Sequence, residues 1–378
     1  MRDVVILGST GSIGTQALEV ISENPDSFRV VGLSAGANNI DRLIEQAKKF
    51  EVQVVGTTGD GAAIREALPK ATVIDGPNSA KEIAALQADI VLNGITGSIG
   101  LRPTLSALEA GNKVALANKE SLVAGGELVL KFGRDQLIPV DSEHSALFQA
   151  MQSGRAQDVS KVILTASGGP FRERKDLSGV TPKEALAHPT WNMGKVVTIN
   201  SATLVNKGLE IIEAHYLFDI PYSKIEAVIH PQSVIHSMVE FVDGSTIAQA
   251  SPPNMKGPIA YSLSYPNRVV KAMPAIDWSH SHSWDFAPID ENRFPSIGLA
   301  RRCGALGGSF TAMYNAANEV AVDAFLRELI PFTAIVDTID KTVAKLNSGA
   351  PENLRDLSDV TAIENDARRV ANEVMARK

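Results

Sequence analysis

The sequence has little cysteine, no long apolar run and no excess of basic charge. Its one cysteine, Cys303, excludes a disulfide framework and a cysteine-ligated zinc cluster. No apolar run approaches the roughly 18–20 residues of a membrane-spanning helix, and Met1 leads towards a predicted strand without a signal peptide. We therefore expect a cytoplasmic protein with no membrane partner. Lys and Arg number 36 against 43 Asp and Glu, and this charge of −7 argues against a nucleic-acid partner while remaining compatible with a small phosphate pocket.

The sequence does contain the composition and the alternating pattern of an α/β protein. Its 378 residues are 44% hydrophobic and 21% charged, which is ordinary for a globular chain of two or three domains. In the N-terminal part, segments of helical periodicity separate short apolar runs. The predicted strands lie at 4–7, 30–33, 52–55, 71–74, 90–92, 114–116 and 137–140. This alternation predicts a doubly wound, Rossmann-like parallel sheet.

The pattern changes beyond residue 150, where stretches rich in Gly, Pro and Ser separate the apolar runs. An α+β second domain is predicted, with strands at 162–164, 196–199, 227–229, 238–241 and 246–248. The end of the chain is predicted to be helical, with one apolar face formed by Ile363, Ala367, Val370 and Val374. Thr361 and Glu364 resemble a capping box. The expected domains are 1–140, 141–265 and a helical 299–378, with a proline-containing linker at 266–298.

A glycine-rich loop follows the first predicted strand directly and opens a predicted helix. Gly8, Gly11 and Gly14 leave backbone N–H groups free at the positive end of the helix dipole, which favours a pyrophosphate. The G-x-x-G-x-x-G spacing departs from the usual G-x-G-x-x-G, and the alternative is a tight turn without a ligand. The second strand ends near Gly36 and Asn38 without a carboxylate, which favours NADP over NAD.

Two carboxylates, Asp141 and Glu143, follow the last predicted parallel strand. If the chain is still extended there, both side chains share one side of the strand, at the edge where open α/β sheets bind ligands. Neighbouring carboxylates repel each other unless a cation or a proton lies between them, so the pair is a candidate site for a hard metal ion. The alternative is a solvated pair at a strand end.

The segment 188–210 has the composition of a lid followed by a phosphate site. Pro189 and Gly194 bracket the large Trp191 and the flexible Met193, which is typical of a mobile loop. The donors suited to a phosphate monoester are Ser201, Asn206 and Lys207. Glu210 lies four residues after Asn206 and is therefore expected on the same helical face.

Taken together, these motifs resemble the 1-deoxy-D-xylulose-5-phosphate reductoisomerase family. The matching blocks are 8–14, 117–123, 140–148, 167–172, 188–210, 230–239, 255–258 and 315–319. The resemblance implies NADPH- and metal-dependent isomerisation of 1-deoxy-D-xylulose 5-phosphate by a retro-aldol and aldol sequence. The product is then reduced to 2-C-methyl-D-erythritol 4-phosphate, in the non-mevalonate route to isoprenoids. It also implies a homodimer that forms through the middle domain.

The resemblance also assigns roles to residues of this sequence. The implied Mg²⁺ or Mn²⁺ ligands are Asp141, Glu143 and Glu210. The implied contacts to the small phosphorylated sugar are Lys119, Ser142, Glu143, Ser167, His188, Trp191, Met193, Ser201, Asn206, Lys207 and Glu210. The implied NADPH contacts are Thr10, Gly11, Ser12, Ile13, Gly36, Asn38, Asn118, Glu120, Gly194 and Met255, although Met255 is also compatible with core packing.

Three roles remain open at the level of sequence. The proton of the C4 hydroxyl could be taken by Lys119, His188 or Glu210. His230 and His236 are as compatible with a structural role as with a catalytic one. The function itself has two rivals: an NADP-dependent dehydrogenase acting on an aldehyde without isomerisation, and a non-enzymatic NADP-binding sensor. The first rival would not need three metal-binding carboxylates, and the second would need neither a lid nor a phosphate clamp.

Overall fold

The computed structural model describes residues 1–351 and 353–376, and the chain divides into two compact units. Unit 1 comprises Met1–Ser121, Val129–Ser145 and Asn254–Pro274. Unit 2 comprises Leu122–Leu128, Ala146–Pro253 and Ala275–Lys378. The segment Asn254–Pro274 therefore groups with the N-terminal unit, although the sequence boundary at residue 265 divides it between the middle domain and the linker.

Strands and helices alternate through the first half of the chain, and helices predominate towards its end. The strands are β1 Arg2–Leu7, β2 Phe28–Ala35, β3 Val54–Thr57, β4 Thr72–Asp75, β5 Ile90–Asn93, β6 Lys113–Leu116, β7 Leu137–Pro139, β8 Val159–Ala166, β9 Ile225–Ile229, β10 Ile235–Phe241, β11 Thr246–Ala250 and β12 Ala287–Pro288. The helices are α1 Ser12–Glu23, α2 Ile40–Lys49, α3 Ala62–Ala67, α4 Ser79–Ala84, α5 Leu101–Glu109, α6 Glu120–Leu130, α7 Ser142–Ala150, α8 Pro182–Ala185, α9 Lys195–Ala202, α10 Val205–Phe218, α11 Lys256–Ser264, α12 Ser296–Leu306, α13 Ser309–Leu326, α14 Ala334–Leu346 and α15 Leu357–Ala376.

Unit 1 is built on a parallel sheet of seven strands in the order β4-β3-β2-β1-β5-β6-β7. The predicted doubly wound sheet is thereby confirmed, with each of its strands close to the predicted position. The central strand β1 ends in the apolar run 4–7, which is fully buried because helices cover both faces of a sheet of this kind. The carboxyl end of β1 leads directly into the glycine loop and α1.

Unit 2 contains a five-stranded mixed sheet in the order β11-β10-β8-β9-β12. β8 and β9 pair in parallel, whereas β10 is antiparallel to both β8 and β11. The predicted strand at 196–199 is wrong, because these residues lie inside helix α9. Short apolar runs cannot be assigned from periodicity alone, and here the helix packs against α10 and α13.

Unit 2 also contains the helices α12 to α15, among which α13 packs against both α14 and α15. The predicted apolar face of α15 is confirmed, since Ile363, Ala367, Val370 and Val374 are buried. The predicted capping box is wrong, because the helix begins earlier and the Thr361 hydroxyl donates to the Leu357 carbonyl within it. In the part of the chain that the structure describes, no helix combines the length and hydropathy required to cross a bilayer.

Candidate active site

The glycine loop of unit 1 is shaped by backbone contacts that only glycine allows. Gly8 has a φ of +75°, and a Cβ at Gly14 would lie 2.5 Å from the Gly8 carbonyl oxygen. The loop therefore folds tightly over the start of α1, whose N-cap is Gly11. No acidic residue lies in the first turn of α1, so the positive end of its dipole remains available to an anion. The predicted contacts Thr10, Gly11, Ser12 and Ile13 lie at this exposed or half-buried rim.

A buried glutamine that the sequence reasoning missed supports the glycine loop from behind. Gln46 lies on the buried face of α2, and its side-chain amide donates to the Ser9 carbonyl at 2.9 Å. A polar residue between the buried Leu43 and Ala47 was the available signal. The predicted contacts Gly36 and Asn38 lie in the exposed turn between β2 and α2. Helix α2 therefore follows the turn that carries Gly36 and Asn38 and also contacts the glycine loop through Gln46.

Asn118 and Glu120 shape a second loop of unit 1. The buried Asn118 amide donates to the carbonyls of Ile95 and Gly97, at 2.7 and 2.9 Å. Glu120 accepts the Gly97 amide at 3.2 Å and the Asn118 amide at 2.9 Å. The Asn118 side chain thus stabilises the conformation of the loop 95–97 through hydrogen bonds to its backbone.

Met255 and Gly194 both lie where a helix begins. Met255 is the half-buried N-cap of α11, and α11 packs against α1. Lys256 reinforces that packing with an ion pair to Glu19 at 2.8 Å. Gly194, in unit 2, is the exposed N-cap of α9.

Asp141 and Glu143 do not lie on an extended chain, so that expectation is wrong. β7 ends at Pro139, and Ser142 is already the first residue of α7. Ser142, a predicted substrate contact, thus lies between the two carboxylates in the chain. The two carboxylates nevertheless offer oxygens within 4.8 Å of each other. The half-buried Asp141 carboxylate lies 2.5 Å from the Lys119 ammonium group, while the Ser142 hydroxyl donates to Glu143. Unit 1 therefore contributes two clustered carboxylates beside a cation.

Glu210 lies on α10 in unit 2 and is only 1% exposed. Its carboxylate accepts hydrogen bonds from Asn206 and from the buried Lys207, which also forms an ion pair with it. The prediction that Asn206 and Glu210 share one helical face is confirmed by this contact. A buried carboxylate is stable only with charge or hydrogen-bond partners, and α10 supplies both from its preceding turn.

His188 is held as a neutral imidazole with a defined tautomer. Its Nδ1 accepts the backbone amides of Thr190 and Trp191, at 3.1 and 2.9 Å, so its proton belongs on Nε2. That Nε2 lies 2.9 Å from the Ser167 hydroxyl oxygen, to which it donates. Burial, and then the positive charge of Arg172, hold the pKa of His188 below its usual 6.5. The Ser167 oxygen accepts this bond, so its own hydroxyl proton is not used in the contact with His188.

A glycine turn brings Ser167 and Ser201 to one region of unit 2. A Cβ at Gly169, whose φ is +62°, would lie 2.9 Å from the Ser201 carbonyl oxygen. The loop after β8 therefore packs directly against the end of α9. The next residues of α10 are Asn206 and Lys207, so all the predicted phosphate donors belong to adjoining segments.

The segment that carries Trp191 and Met193 is irregular, and both side chains are half-buried. The Trp191 ring meets the buried His236 ring edge-on, with centroids 6.2 Å apart. His230 is buried and structural, since its Nε2 accepts the amides of Val234 and Ile235, both at 3.1 Å. At the end of the segment, the Thr198 hydroxyl and backbone amide donate to the Gly194 carbonyl, each at 3.0 Å.

Comparisons with known proteins cover nearly the whole chain. Sequence models described as 1-deoxy-D-xylulose 5-phosphate reductoisomerase, its C-terminal domain, and DXP reductoisomerase C-terminal domain match residues 4–126, 137–218 and 250–370. A curated relative of the same name from Streptomyces avermitilis is 53% identical, with 98% of this chain and 97% of the relative covered. Its counterpart from Kitasatospora griseola is 54% identical, with 99% of this chain and 100% of the relative covered.

Two solved structures are similar over the same extent. The Zymomonas mobilis reductoisomerase in complex with NADPH has a TM-score of 0.92 and 40% identity, and 99% of each chain is covered. A DOX-P reductoisomerase in complex with NADPH, fosmidomycin and magnesium has a TM-score of 0.92 and 36% identity, with 100% of this chain and 98% of that chain covered.

Proposed function

The chain belongs to the 1-deoxy-D-xylulose 5-phosphate reductoisomerase family, and from this premise we propose which of its residues bind and convert the substrate. The reaction is the NADPH- and divalent-metal-dependent conversion of 1-deoxy-D-xylulose 5-phosphate to 2-C-methyl-D-erythritol 4-phosphate. The chain is thus an NADP-dependent oxidoreductase that also isomerises its substrate. The C3–C4 bond breaks, the fragments rejoin as a branched aldehyde, and the aldehyde is reduced.

The metal ligands of the proposal are Asp141, Glu143 and Glu210. Carboxylate oxygens are what Mg²⁺ and Mn²⁺ prefer, and all three groups lie beside hydrogen-bond donors rather than in bulk water. Lys119 contacts the Asp141 carboxylate and Lys207 contacts the Glu210 carboxylate. Two of the three proposed ligands therefore already lie next to a positive charge, as a metal ligand would. When bound, the ion polarises the substrate's carbonyl as a Lewis acid. The buried Glu210, with its two donors on α10, is the observation that carries this assignment.

The cofactor site of the proposal is the glycine loop with the start of α1. The amides of Thr10, Gly11, Ser12 and Ile13 would receive the pyrophosphate of NADPH, while Gly36 and Asn38 would receive its adenosine end. A Cβ at Gly14 would collide with the backbone of Gly8 and Ser9, so this glycine lets the loop fold tightly over the start of α1, which supports the placement. When bound, NADPH supplies the hydride that reduces the aldehyde. Asn118 and Glu120 hold the adjacent loop, and the remaining proposed contacts are Gly194 and Met255.

The substrate phosphate of the proposal is held by Ser167, Ser201, Asn206 and Lys207. Three of these side chains are neutral donors and one is a cation, which matches a phosphate monoester. Ser167 can donate to the phosphate because His188 fills its acceptor position. Trp191 and Met193 cover the substrate, exclude water and hold the two fragments together between steps. At the other end of the substrate, Lys119 and Ser142 would meet its carbonyl and hydroxyl oxygens.

The hydrogen bonds of His188 argue against this residue as the general base, which leaves two of the three candidates. Both ring nitrogens are engaged, with Nδ1 accepting amides and Nε2 donating to Ser167, so the ring orients rather than abstracts. The proposal therefore gives the C4 hydroxyl proton to Glu210 or Lys119. Lys119 lies 2.5 Å from Asp141 as an ammonium group, and losing its proton would first require that pair to separate.

We propose that the protein forms a homodimer through the sheet of unit 2. β11 is an edge strand that pairs only with β10 among the described strands, and its outward residue Ile247 is exposed. Val242, at the preceding turn, is exposed as well. An unpaired edge with apolar side chains favours pairing with a second copy.

We also place the enzyme in the cytoplasm, where NADPH is generated, since its one cysteine is free and buried.

A metal-dependent assay tests the proposed function. Purified protein is stripped with EDTA and mixed with 1-deoxy-D-xylulose 5-phosphate, and NADPH absorbance is followed before and after Mn²⁺ or Mg²⁺ is added. We expect turnover only with the ion. Glu210→Gln should lower kcat/KM by about 100-fold or more, since several kcal/mol of transition-state stabilisation is lost. The matched control is Glu226→Gln, whose carboxylate is exposed on β9.

Three results would contradict the assignment. Turnover that survives EDTA would favour a dehydrogenase without isomerisation, and reduction of unrelated aldehydes would support that alternative. NADPH binding with no turnover at all would favour a sensor. Equal kinetics in Glu210→Gln and Glu226→Gln would remove Glu210 from the site.

A further inference from the structure

Helix α10 approaches the C-terminal helices closely at one glycine. A Cβ on Gly208 would lie 2.7 Å from the Tyr314 hydroxyl oxygen of α13 and 2.9 Å from the Ala300 Cβ of α12. Tyr314 and Ala300 are fully buried, so neither can move into solvent. Gly208 lies between Lys207 and Glu210, and the approach therefore fixes the turn of α10 that carries both charged groups.

A chain of hydrogen bonds continues from this contact to the end of α9. The Tyr314 hydroxyl donates to the Ser296 carbonyl at 3.3 Å. The Ser296 hydroxyl in turn donates to the Thr203 carbonyl at 2.8 Å, and both groups are buried. Thr203 is the C-cap of α9, two residues after Ser201. The Ser296 side chain thus holds the backbone at the point where α9 ends, and the Tyr314 hydroxyl holds the backbone of Ser296 itself.

The junction that they hold contains a residue in a sparsely populated conformation. Leu204 links α9 to α10 with a φ of +56°, and its side chain is 2% exposed. A branched apolar residue adopts this left-handed region only when its surroundings determine it. The junction separates Ser201 from Asn206 and Lys207, so its geometry sets the spacing of the proposed phosphate donors.

We propose that Ser296 and Tyr314 are positioning residues that set the α9–α10 junction for the substrate phosphate. The proposal rests on the proposed function, because it assumes that Ser201, Asn206 and Lys207 bind that phosphate. Neither positioning residue lies among the proposed substrate or cofactor contacts. Displacement of bound groups by about 1 Å is enough to lower catalytic efficiency strongly. Loss of the Ser296 or Tyr314 hydrogen bond should therefore weaken substrate binding while leaving the cofactor site of unit 1 unaffected.

Steady-state kinetics of Ser296→Ala and Tyr314→Phe test the proposal. We expect each variant to raise KM for 1-deoxy-D-xylulose 5-phosphate about 5- to 20-fold, the effect of one lost hydrogen bond. KM for NADPH and kcat should stay within about 2-fold of the wild type. Tyr222→Phe is the matched control, because its buried hydroxyl lies against Gly304 of α12 and makes no hydrogen bond within the described chain. It should leave both KM values unchanged.

A double mutant separates positioning from general packing. Gly208→Ala places a methyl group against the Tyr314 hydroxyl, so it should raise the sugar KM more than either hydroxyl deletion. Tyr314→Phe in the same chain removes the clashing oxygen and should recover part of that loss. Additive effects of the two substitutions would overturn the coupling.

Folding is monitored by thermal denaturation in parallel with the kinetics. A lower Tm with an unchanged sugar KM in Ser296→Ala would overturn the proposal and leave a purely structural role. An equal rise in both KM values would overturn it as well. Failure of the proposed function is a separate result, since wild-type protein would then show no turnover of this substrate.

Discussion

The buried ion pair on α10 yields a prediction with a defined magnitude. Lys207 and Glu210 are 3% and 1% exposed, so solvent screening does not weaken their interaction as it does at the surface. Replacing Lys207 by Met keeps the volume of the side chain but leaves a buried carboxylate without its cation. Breaking a pair of this kind costs about 3–5 kcal/mol, and the remaining Asn206 donor places the value near 3 kcal/mol. For a cooperative unit of roughly 200 residues, this lowers Tm by about 6–12 °C.

The assay is thermal unfolding of Lys207→Met with EDTA and with excess Mn²⁺. A divalent ion replaces the missing positive charge, so Mn²⁺ should raise the Tm of the variant more than that of the wild type. Lys207→Met combined with Glu210→Gln should regain most of the stability in EDTA and lose the response to Mn²⁺. Lys161→Met is the control, because its partner Glu226 is half-exposed and surface pairs contribute only about 0–1 kcal/mol.

Two outcomes would refute this reasoning. A Tm loss no larger than that of Lys161→Met would mean that the α10 pair is solvated in the protein. An identical Mn²⁺ response in Lys207→Met and in the double variant would mean that the ion binds away from Glu210.

Three further predictions concern the loop, the lid and the histidine. Gly14→Ala should lower the free energy of unfolding by about 1–3 kcal/mol and raise KM for NADPH, because the added methyl group collides with the loop backbone. Denaturation and steady-state kinetics measure the two effects, and unchanged values would contradict the tight loop. Trp191→Ala should slow turnover without lowering Tm, and wild-type kinetics would count against the lid. The pKa of His188 is lowered, so the unfolded chain binds its proton more tightly; stability should fall as pH drops below about 6.5. His188→Asn should flatten that part of the stability–pH curve, and an unaltered curve would contradict the assignment.

Much of unit 1 could be predicted because its physics is local. The inner strands of a parallel sheet are buried on both faces and therefore form continuous apolar runs in the sequence, such as 4–7. The glycine loop could be predicted for the same reason, since strand, turn and helix follow one another. The prediction failed at 196–199, where Val-Val-Thr-Ile fits a strand, yet tertiary packing against α10 and α13 makes it helical.

The candidate site could be predicted where its members share a short segment, as Asn206 and Glu210 do on one turn of α10. It could not be predicted where the partner is a backbone group far along the chain. The Gln46 side chain donates a hydrogen bond to the Ser9 carbonyl, and the Ser296 hydroxyl donates one to the Thr203 carbonyl, 93 residues away. Every residue type has a main-chain carbonyl, so the sequence can mark Gln46 as a polar residue on an apolar face but cannot identify the carbonyl that it contacts.

The imidazole of His188 makes two distant parts of unit 2 mechanically dependent on each other. One edge of the ring fastens the first amides of the segment that leads to Trp191, and the opposite edge fastens the Ser167 hydroxyl. If the substrate phosphate accepts a hydrogen bond from Ser167 as proposed, a shift of this hydroxyl would reach the backbone of Thr190 and Trp191 through the imidazole ring. We therefore expect phosphate binding and the position of this segment to be coupled through one side chain.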